Sequence, residues 1–559
     1  MNMDNPFIKK TLNNEECQKR LDKWNKMMPA EQANELNAAH EVALEFNADP
    51  LSELVKQEKD PTFAKQVLLA KKISERVKEY GGMVLVVGGF VRDLVLRRFG
   101  YGRASKDVDL EVYGMSVEDL KAMLKEMARE PEILRELEVS KPLSVDEVGQ
   151  SFGVIKIFDL DVAVTRRDKR TAPGEGRKAE AIPDHTMTFE QASFRRDLTI
   201  NAMGMDPLTG QVFDVHNGLE DAKRKILRHV YDNADPKYTQ FADDPLRVMR
   251  IMQFAGRFVF NVAPETAELC RSIDYRVRKS EKDKDPKALS KERLGEEWMK
   301  LFTKSKYPSV GLEAGRVCGV FEKVHPEIAK LYVKESDLHV WEDMKFTVDR
   351  VSAYIHKNEI DHEYAKLYYF SAICEAFKKG ESWERRSKEI KSFLETISLK
   401  NTVAKNFNAA ILEICKDAEI IKELAIKSTK QDELDELLRR MAYTAGKIAI
   451  ISQTEDHLAV TLKLKDVLKI VDALGIFKEG EYFKLDKIVK RTQELHIFDQ
   501  TPEDLVMGDD LKALGLKPGP EFSKILTEVK NAQLKGQFDN EEHVASKAKA
   551  LKYVKKLIG

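Results

Sequence analysis

The chain has 559 residues, 42% of them hydrophobic and 33% charged, with a formal net charge of −1 at pH 7. That composition excludes a disordered polymer, and the length exceeds what one compact core usually holds, so several domains are expected. The near-neutral total argues against broad non-specific binding to nucleic acid, although a local basic surface remains compatible with it.

The first 80 residues are predicted to be helical. The runs ANELNAAHEVALEF and FAKQVLLAKKISERVKEY place apolar residues at three-to-four spacing, which is the period of an amphipathic helix. Gly81 and Gly82 follow the second run and end it. The sequence leaves three roles open for this extension: contact with RNA, support of the next domain, or binding of another protein.

Residues 83–230 are predicted to mix strands and helices. MVLVVGG, VDLEVYG and SFGVIKIFDLDVAVTRR run apolar or alternate over strand lengths. SVEDLKAMLKEM lies between them and predicts a helix with Ser116 as its N-cap. From about residue 240 onward the strand pattern disappears and helical periodicity takes over.

A glycine turn and a carboxylate pair stand close together in the first part of this region. Gly88 and Gly89 follow an apolar strand and open a helix, so their backbone N–H groups form a candidate phosphate site. Asp107 and Asp109 alternate on the next strand and therefore share a face. Two such carboxylates favour a cation between them, and Mg²⁺ prefers oxygen ligands. A lone pair of this kind is more often a solvated strand edge.

The cysteines and the hydropathy predict a cytoplasmic protein without a membrane partner. The five cysteines are odd in number, scattered and without paired metal-ligand spacing, which favours reduced thiols. No apolar run approaches the roughly 18 residues of a membrane span. Residues 1–20 lack the apolar core of a secretory signal.

The run Gly88-Gly89-Phe90-Val91-Arg92-Asp93, followed by Asp107-Val108-Asp109, resembles the signature of class II nucleotidyltransferases of the polymerase-beta superfamily. That group contains the tRNA CCA-adding enzymes and the bacterial poly(A) polymerases. Four further segments match the family in the same order, which makes chance an unlikely explanation. They are FRRDLTINAM (194–203), FDVHNGLEDAKRKILR (213–228), DDPLRVMRIMQFAGRF (243–258) and SKERLGEEWMKLF (290–302).

The resemblance implies an α+β fold class: a small mixed-sheet nucleotidyltransferase head followed by an elongated all-helical neck, body and tail. The body resembles an HD phosphohydrolase domain whose ligands are missing, since Asp343, Glu375 and Ala376 stand where a histidine and a His-Asp pair are needed. The predicted boundaries are a helical extension at 1–80, the catalytic head at 81–230, a base-recognising neck at 231–305, the body at 306–500 and an RNA-binding tail at 501–559.

The resemblance also implies a two-metal centre with Mg²⁺ as its cofactor. Asp107 and Asp109 would hold the metals. Asp161, in DLDVAV, is the candidate third catalytic carboxylate, and a strand-end aspartate with a purely local role is an equally good interpretation.

A nucleotide site is implied as well. Gly88 and Gly89 would contact the triphosphate through their backbone, and Arg92 would reach phosphate or orient the acidic strand. Asp197 would accept a hydrogen bond from a ribose hydroxyl. The remaining residues assigned to this site are Arg166, Arg195, Arg196, Asn201, Asp244, Arg247 and Arg250.

Asp244 and Arg247 are the predicted base readers. They stand three residues apart, so on a helix they would share a face. A carboxylate only accepts hydrogen bonds and a guanidinium only donates them, which suits the edges of cytosine and adenine. Asp243 replaces the glutamate usual in the family. Without the family, salt bridging at a helix start would explain the Arg195–Asp197 group better.

The implied function is template-independent addition of CCA to the 3′ end of tRNA, using CTP and ATP and releasing pyrophosphate. The alternatives are a poly(A) polymerase and an enzyme that adds only CC or only A. The polar stretch TAPGEGRKAEAIPDH, after Arg166, resembles the loop that switches the family from C to A addition and argues against CC-only addition. The segment 508–536 resembles the tail of long bacterial CCA-adding enzymes. The oligomeric state is not predicted.

Overall fold

The computed structural model gives the chain two compact units, the first from Met1–Ser290 with Val310–Val324 and the second from Lys291–Ser309 with His325–Gly559. The predictions for ANELNAAHEVALEF, for most of the switch-loop stretch, for Asp243 and for Cys17 lie outside the described residues. The residues that the structure describes are 51–52, 55–56, 60–101, 107–148, 153–168, 181–231, 241, 244–280, 282–283, 285, 288–377, 382–399, 404–426, 429–451, 460–477, 480–539 and 543–558.

In the part of the chain that the structure describes, the first unit contains a mixed sheet with helices before, between and after its strands. Its helices are α1 (Pro61–Glu79), α2 (Gly89–Arg98), α3 (Val117–Met127), α4 (Pro131–Glu136), α5 (Phe189–Ser193), α6 (Gly218–Arg224), α7 (Leu246–Phe258) and α8 (Pro264–Ser272). Its strands are β1 (Met83–Val87), β2 (Asp109–Tyr113), β3 (Val145–Val148), β4 (Val154–Ile157), β5 (Leu160–Val164), β6 (Arg166–Asp168), β7 (Ala181–Pro183), β8 (Gly204–Met205), β9 (Val212–Phe213), β10 (Ile226–Leu227), β11 (Asn261–Val262), β12 (Arg276–Val277) and β13 (Ala288–Leu289).

Seven of these strands form one sheet in the order β3-β4-β5-β2-β1-β8-β9. The β2–β5 pair is parallel, whereas the other pairs in the sheet are antiparallel. Val84 to Val87 of β1 and Leu110 to Tyr113 of β2 are buried, as expected for two central strands. The mixed sheet predicted for the head is confirmed.

A two-residue turn joins β4 to β5. Ile157 pairs with Leu160, so only Phe158 and Asp159 lie between the strands. Their φ angles are 47° and 59°, the left-handed region that a type I′ hairpin turn requires at both central positions. This turn sets the register in which β5 pairs with β4.

Two helix predictions in this unit are confirmed. FAKQVLLAKKISERVKEY lies within α1 except for its last residue, Tyr80, which is the C-cap and precedes Gly81 with its φ of 80°. Ser116 caps α3, where its hydroxyl accepts a hydrogen bond from the Asp119 amide at 3.1 Å. A cap of this kind contributes about 1 kcal/mol to helix stability.

The second unit is mainly helical. Helix α9 is Lys291–Lys304. It is followed in the chain by α10 (Pro308–Val317) and α11 (Val320–Val324), and residues Val310–Val324 belong to the first unit. The later elements are α12 (Pro326–Val333), α13 (Leu338–Lys357), α14 (His362–Cys374), α15 (Trp383–Leu394), α16 (Ala404–Ile426), α17 (Gln431–Gly446), β14 (Ala449–Ile451), β15 (Val460–Thr461), α18 (Leu464–Leu474), α19 (Tyr482–Glu494), α20 (Gly508–Ala513), α21 (Pro520–Leu534) and α22 (His543–Ile558).

The expectation that strands disappear after residue 240 is wrong in detail. Strands β11 to β13 and the pair β14–β15 lie beyond that point, and each is two or three residues long. A strand this short contains no more than one period of alternation, so hydropathy cannot reveal it. The mostly helical character of this region is confirmed.

A histidine is buried in the core of the second unit. The Trp298 indole N–H donates to Nε2 of His325 at 2.9 Å, and Nδ1 lies 2.9 Å from Oγ1 of Thr396. Since an indole only donates, Nε2 accepts and the Nδ1 proton faces Thr396. Burial lowers the pKa of His325 to about 3, so this ring is neutral and structural.

The C-terminal residues build a small apolar core of their own. It is formed by Leu505, Val506, Leu511, Ile525, Val529, Ala532, Phe538, Ala550 and Val554. Among the described residues, no helix combines the length and the apolar character that crossing a membrane requires. Four cysteines are described, and each is a buried free thiol: Cys270, Cys318, Cys374 and Cys415.

Candidate nucleotidyl-transfer site

The predicted phosphate site is a sharp turn between β1 and α2. Gly88 has φ 74° and ψ −135°, and Gly89 begins the helix. Residues with a side chain rarely adopt that backbone conformation, which explains glycine at position 88. A Cβ built on Gly88 would lie 3.7 Å from Nη1 of Arg196 and 3.8 Å from Oδ2 of Asp109. The turn therefore lies directly beside a predicted phosphate ligand and a predicted metal ligand.

The strand register brings the predicted carboxylates together. Val87, the residue before the turn, pairs with Asp109, and Asp109 pairs with Asp161 across the parallel β2–β5 ladder. Asp107 precedes Asp109 by two residues. Desolvation, the charge of Asp161 and the charge of Asp107 raise the pKa of Asp109 to about 6, and the charge of Arg196 opposes them.

This donor set fits a divalent cation. The like charges of Asp107 and Asp161 raise the pKa of Asp109, and a cation bound between the carboxylates would relieve that repulsion. Among the described residues no three His, Cys, Asp or Glu side chains form a ready-made metal cage. Mg²⁺ rarely uses such a cage, because it is usually held by one or two carboxylates together with water and substrate phosphate.

One residue of this cluster was missed by the sequence analysis. Glu111 follows Asp109 by two residues on β2, and it is buried. The Tyr113 hydroxyl donates to its Oε2 at 2.6 Å, and Nη2 of Arg196 lies 3.4 Å from its Oε1. The alternation Asp107, Asp109, Glu111 in the sequence was the signal that could have identified it.

Arg92 lies in the interior of the first unit. Its Nε donates to Asp93 at 2.6 Å and its Nη1 donates to Oδ1 of Asn201 at 2.8 Å. The guanidinium also lies over the rings of Phe254 and Phe258 on α7, at 5.2 and 5.1 Å. These contacts are with Asp93, Asn201 and α7, so both predicted roles of Arg92, contact with phosphate and orientation of the acidic strand, stay predictions.

The network continues from Arg92 to the predicted ribose ligand. Asn201 donates from Nδ2 to Oδ1 of Asp197 at 2.8 Å, and Nε of Arg250 lies 2.8 Å from Oδ2. Burial alone would raise the pKa of Asp197, but Arg250, Arg247 and the Asn201 hydrogen bond hold it below its usual value. Asp197 is therefore a charged acceptor in the interior of the unit.

The two predicted base readers lie at the start of α7. Helix α7 begins at Leu246 with Pro245 as its N-cap, so Asp244 precedes the helix. The expectation that both residues lie on one helix face is therefore wrong. The Arg247 amide nevertheless donates to the Asp244 carbonyl at 2.9 Å, which keeps the two residues adjacent. Nη1 of Arg247 donates to the Arg195 carbonyl at 2.9 Å.

Arg166 stands apart from the central sheet. It begins β6 and pairs with Pro183 in the two-stranded β6–β7 ribbon. The stretch between these two strands, residues 169–180, belongs to the part of the chain that the structure does not describe.

The positions that would carry HD ligands have other contacts. Glu375 caps the C-terminus of α14 and forms an ion pair of 2.8 Å with Arg386. Asp343 lies on α13. The absence of hydrolase activity stays a prediction.

A mixed sheet that places a glycine turn beside paired carboxylates is the arrangement that the resemblance to nucleotidyltransferases implies. Residues 84–228 match the Poly A polymerase head domain family, and residues 385–547 match the family described as tRNA nucleotidyltransferase domain 2, putative. Two separate segments of the chain are therefore similar to families of nucleotidyltransferases, one to a poly(A) polymerase head and one to a domain of tRNA nucleotidyltransferases.

Curated relatives resemble part of the chain. The Multifunctional CCA protein of Nitrosococcus oceani is 33% identical over 252 residues, which are 44% of this chain and 52% of that protein. The corresponding protein of Paraburkholderia phytofirmans is 37% identical over 46% of this chain and 55% of its own length. The CCA-adding enzyme of Pseudomonas entomophila is 33% identical over 44% and 56%. The chain spans about half the length of the curated relatives it matches.

Solved structures share the fold over most of the chain. A CCA-adding enzyme in its apo form II aligns with a TM-score of 0.53 at 18% identity, covering 89% of this chain and 98% of that one. The Bacillus stearothermophilus CCA-adding enzyme in complex with CTP aligns with a TM-score of 0.53 at 19% identity, covering 89% and 99%. The α+β class, a mixed-sheet head followed by a mostly helical region, is thereby confirmed.

Proposed function

We propose that this protein adds CCA to the 3′ end of tRNA without a template, using CTP and ATP and releasing pyrophosphate. The observation that carries the proposal is the register that places Asp109 opposite Asp161 and beside the Gly88 turn. Relatives named as CCA-adding proteins support it, as do the complexes of structurally similar CCA-adding enzymes with CTP and with ATP. A cytoplasmic location belongs to the same proposal.

The acidic strand would hold the metals. Bound by Asp107 and Asp109, Mg²⁺ would supply the Lewis acid that activates the RNA 3′-hydroxyl and stabilises the leaving pyrophosphate. Asp161 faces the same place and would complete the carboxylate set. The net negative charge of these carboxylates in the free protein suits the cluster to a divalent cation.

The residues around the turn would hold the triphosphate. The amides at the start of α2 point toward the space beside the turn, where a helix N-terminus favours negative charge. Arg196 is beside Gly88 and presents a guanidinium fork that matches phosphate oxygens. Arg166, on its separate ribbon, would contact the nucleotide from another direction.

The start of α7 would select the base. The Asp244 carboxylate would accept from the exocyclic amino group of cytosine or adenine, and Arg247 would donate to a ring acceptor. The bond from Arg247 to the Arg195 carbonyl and the pairing of Arg250 with Asp197 would hold α7 against the ribose ligand. Base and sugar would therefore be read by one connected set of side chains.

The length of the product distinguishes CCA addition from poly(A) synthesis and from the addition of only CC or only A. We would incubate the full chain with Mg²⁺, a tRNA that ends at the discriminator base, and CTP, ATP or both, and separate products at nucleotide resolution. Growth by three nucleotides that needs CTP first and ATP last is the expected result. A long adenosine ladder with ATP alone would identify a poly(A) polymerase, and a stop after two or one additions would identify a CC-adding or A-adding enzyme.

Replacing Asp244 with alanine should relax base selection. The variant loses the acceptor for an exocyclic amino group but retains the backbone bond that orders Arg247. We expect the preference for CTP over UTP, measured as the ratio of kcat/KM, to fall roughly 10- to 100-fold, since one such contact is worth about 1–3 kcal/mol. The KM for CTP should change less than this ratio.

Asp206→Ala provides the matched control for that prediction. Asp206 accepts from the Leu208 amide at 2.8 Å, just as Asp244 accepts from the Leu246 amide at 3.3 Å. It follows β8 at the end of that strand away from Gly88. The control variant should keep the wild-type preference. Unchanged discrimination in Asp244→Ala would contradict the assignment of Asp244 as a base reader.

A further inference from the structure

A further acidic side chain lies on the same face of β2 as the predicted metal ligand Asp109. Asp109 and Glu111 are two residues apart on β2, so both point to one side of the sheet, and Asp107 precedes the strand by two residues. Glu111 is 6% exposed and belongs to the interior, whereas Asp109 opens the strand. The burial of the Glu111 carboxylate beside a proposed metal site therefore needs a physical explanation.

A buried carboxylate persists only where hydrogen bonds and an opposite charge compensate for its lost hydration. Glu111 has both. The Tyr113 hydroxyl donates to Oε2 at 2.6 Å, and burial together with the nearby Glu111 charge raises the pKa of Tyr113, which keeps that hydroxyl protonated. The opposite charge comes from Arg196, whose Nη2 lies 3.4 Å from Oε1.

Arg196 stands between two carboxylates of the same strand. One side of its guanidinium faces Glu111, while its Nη1 lies near the Gly88 turn, where Oδ2 of Asp109 is also found. The charge of Arg196 already lowers the pKa of Asp109. A guanidinium released from Glu111 would have Asp109, whose Oδ2 lies beside the same Gly88 turn, as an alternative partner, and it would then occupy the position of a cation.

We propose that Glu111 is a positioning residue that holds Arg196 toward the triphosphate and away from the metal-binding carboxylates. The inference rests on the proposed nucleotidyl transfer, but it concerns metal binding, which is measurable without any transfer. Glu111 acts through Arg196 and contacts neither substrate nor metal.

The first test measures divalent-metal binding to the free protein. Glu111→Gln keeps the shape of the side chain and an acceptor for the Tyr113 hydroxyl but removes the charge that holds Arg196. Calorimetric titration with Mn²⁺, in the absence of nucleotide and RNA, should show an affinity roughly 10-fold weaker than in the wild-type protein, in the range typical of residues that orient metal ligands.

The second test separates positioning from a simple loss of negative charge. In an Arg196→Met background no guanidinium is present to move onto Asp109, so Glu111→Gln should change Mn²⁺ affinity by less than about twofold there, as expected when coupling through Arg196 is absent. If the loss of affinity persists in the double variant, the effect arises from charge alone and the proposal is overturned.

Catalytic measurements supply an independent readout. In Glu111→Gln the Mg²⁺ concentration for half-maximal nucleotide incorporation and the KM for nucleotide should both rise roughly 10-fold, with kcat at saturation reduced less. A lower kcat with unchanged KM and Mg²⁺ requirement would instead indicate a merely structural role. Any nucleotide incorporated serves this test, so it remains valid if the protein proves to be a poly(A) polymerase.

Two further variants test whether the effect of Glu111→Gln on metal affinity arises from general destabilisation of the first unit. Glu130→Gln breaks another Arg–Glu pair of the same unit, in which Arg76 contacts Glu130 at 2.9 and 3.1 Å, and it should leave metal affinity unchanged. Tyr113→Phe removes one hydrogen bond to Glu111 and keeps its charge, so it should show a smaller effect in the same direction. If Tyr113→Phe exceeded Glu111→Gln in its effect on Mn²⁺ affinity, packing rather than charge would control the site.

Discussion

Replacing Asp109 with alanine should abolish nucleotide addition, with a loss on the order of 10⁴-fold in kcat. Asp109 lies opposite Asp161, beside the Gly88 turn, and is one of the two proposed metal ligands. The measurement is single-turnover incorporation of radiolabelled CTP into a truncated tRNA at saturating Mg²⁺. Surviving turnover near the wild-type rate would refute the metal assignment.

The same substitution should not destabilise the metal-free fold. The pKa of Asp109 in the folded protein, about 6, lies above its ordinary value of 3.8, so folding favours the protonated carboxyl. That favourable contribution is complete below pH 3.8 and is lost as the pH rises through 6, and at pH 7.5 the charged side chain opposes folding. In EDTA at pH 7.5 the Tm of the variant should equal or exceed that of the wild-type protein.

Asp146→Ala is the control for both measurements. Asp146 lies on β3 of the same sheet and accepts a hydrogen bond from Ser144. Its removal should leave incorporation unchanged and should not raise the Tm at pH 7.5. A rise in Tm for Asp146→Ala as large as for Asp109→Ala would show that the gain does not report repulsion at the acidic cluster.

Replacing Asp93 with alanine should strongly destabilise the first unit. Asp93 is 1% exposed and binds two arginines, Arg92 at 2.6 Å and Arg257 at 2.8 Å. Removing it leaves the buried Arg92 guanidinium without its carboxylate, and breaking a buried pair in this way costs about 3–5 kcal/mol. Native-state hydrogen exchange of α2 amides, read by mass spectrometry, should show a fall of this size in the free energy of opening.

Arg257→Met tests the other side of the same carboxylate. The Arg257 side chain is 24% exposed, so its loss leaves Asp93 still paired with Arg92 and should cost less than the loss of Asp93. Equal effects of the two variants would contradict the view that the buried Arg92 charge dominates the energy of this network.

The local elements of the head were predictable because their signals are short-range. The apolar run before Gly88 forms β1, and the side chain of Ser116 caps the helix that its position predicted. Such signals depend on neighbouring residues alone. The order of the strands and the pairing of β2 with β5 were not predictable, because they depend on contacts between distant residues.

The orientation of the arginine side chains could not be predicted from the sequence either. Arg92 and Arg250 occur in the segments expected to bind nucleotide, yet the structure pairs Arg92 with Asp93 and Arg250 with Asp197. A sequence shows that a guanidinium is present but not whether its fork points to an internal carboxylate or to a cleft. The sequence therefore gives the position of an arginine in a motif, whereas the direction of its side chain is known only from the folded structure.

The position of Asp161 became clear only from the register of the β2–β5 pair. On the sequence alone, a strand-end aspartate with a local role was as good an interpretation as a third catalytic carboxylate. The parallel ladder places it opposite Asp109, and the like charge of Asp161 contributes to the raised pKa of that residue. Its role in metal binding stays a proposal, but its proximity to the acidic pair is a structural fact.

The tight turn at Phe158 and Asp159 constrains how this region of the gene can evolve. With only two residues in the turn, deleting one codon would draw a strand residue into the turn, and β5 would slip against β4. An inserted codon would instead give a three-residue loop, which hairpins also use. Deletions at this turn should therefore be rarer among homologues than insertions.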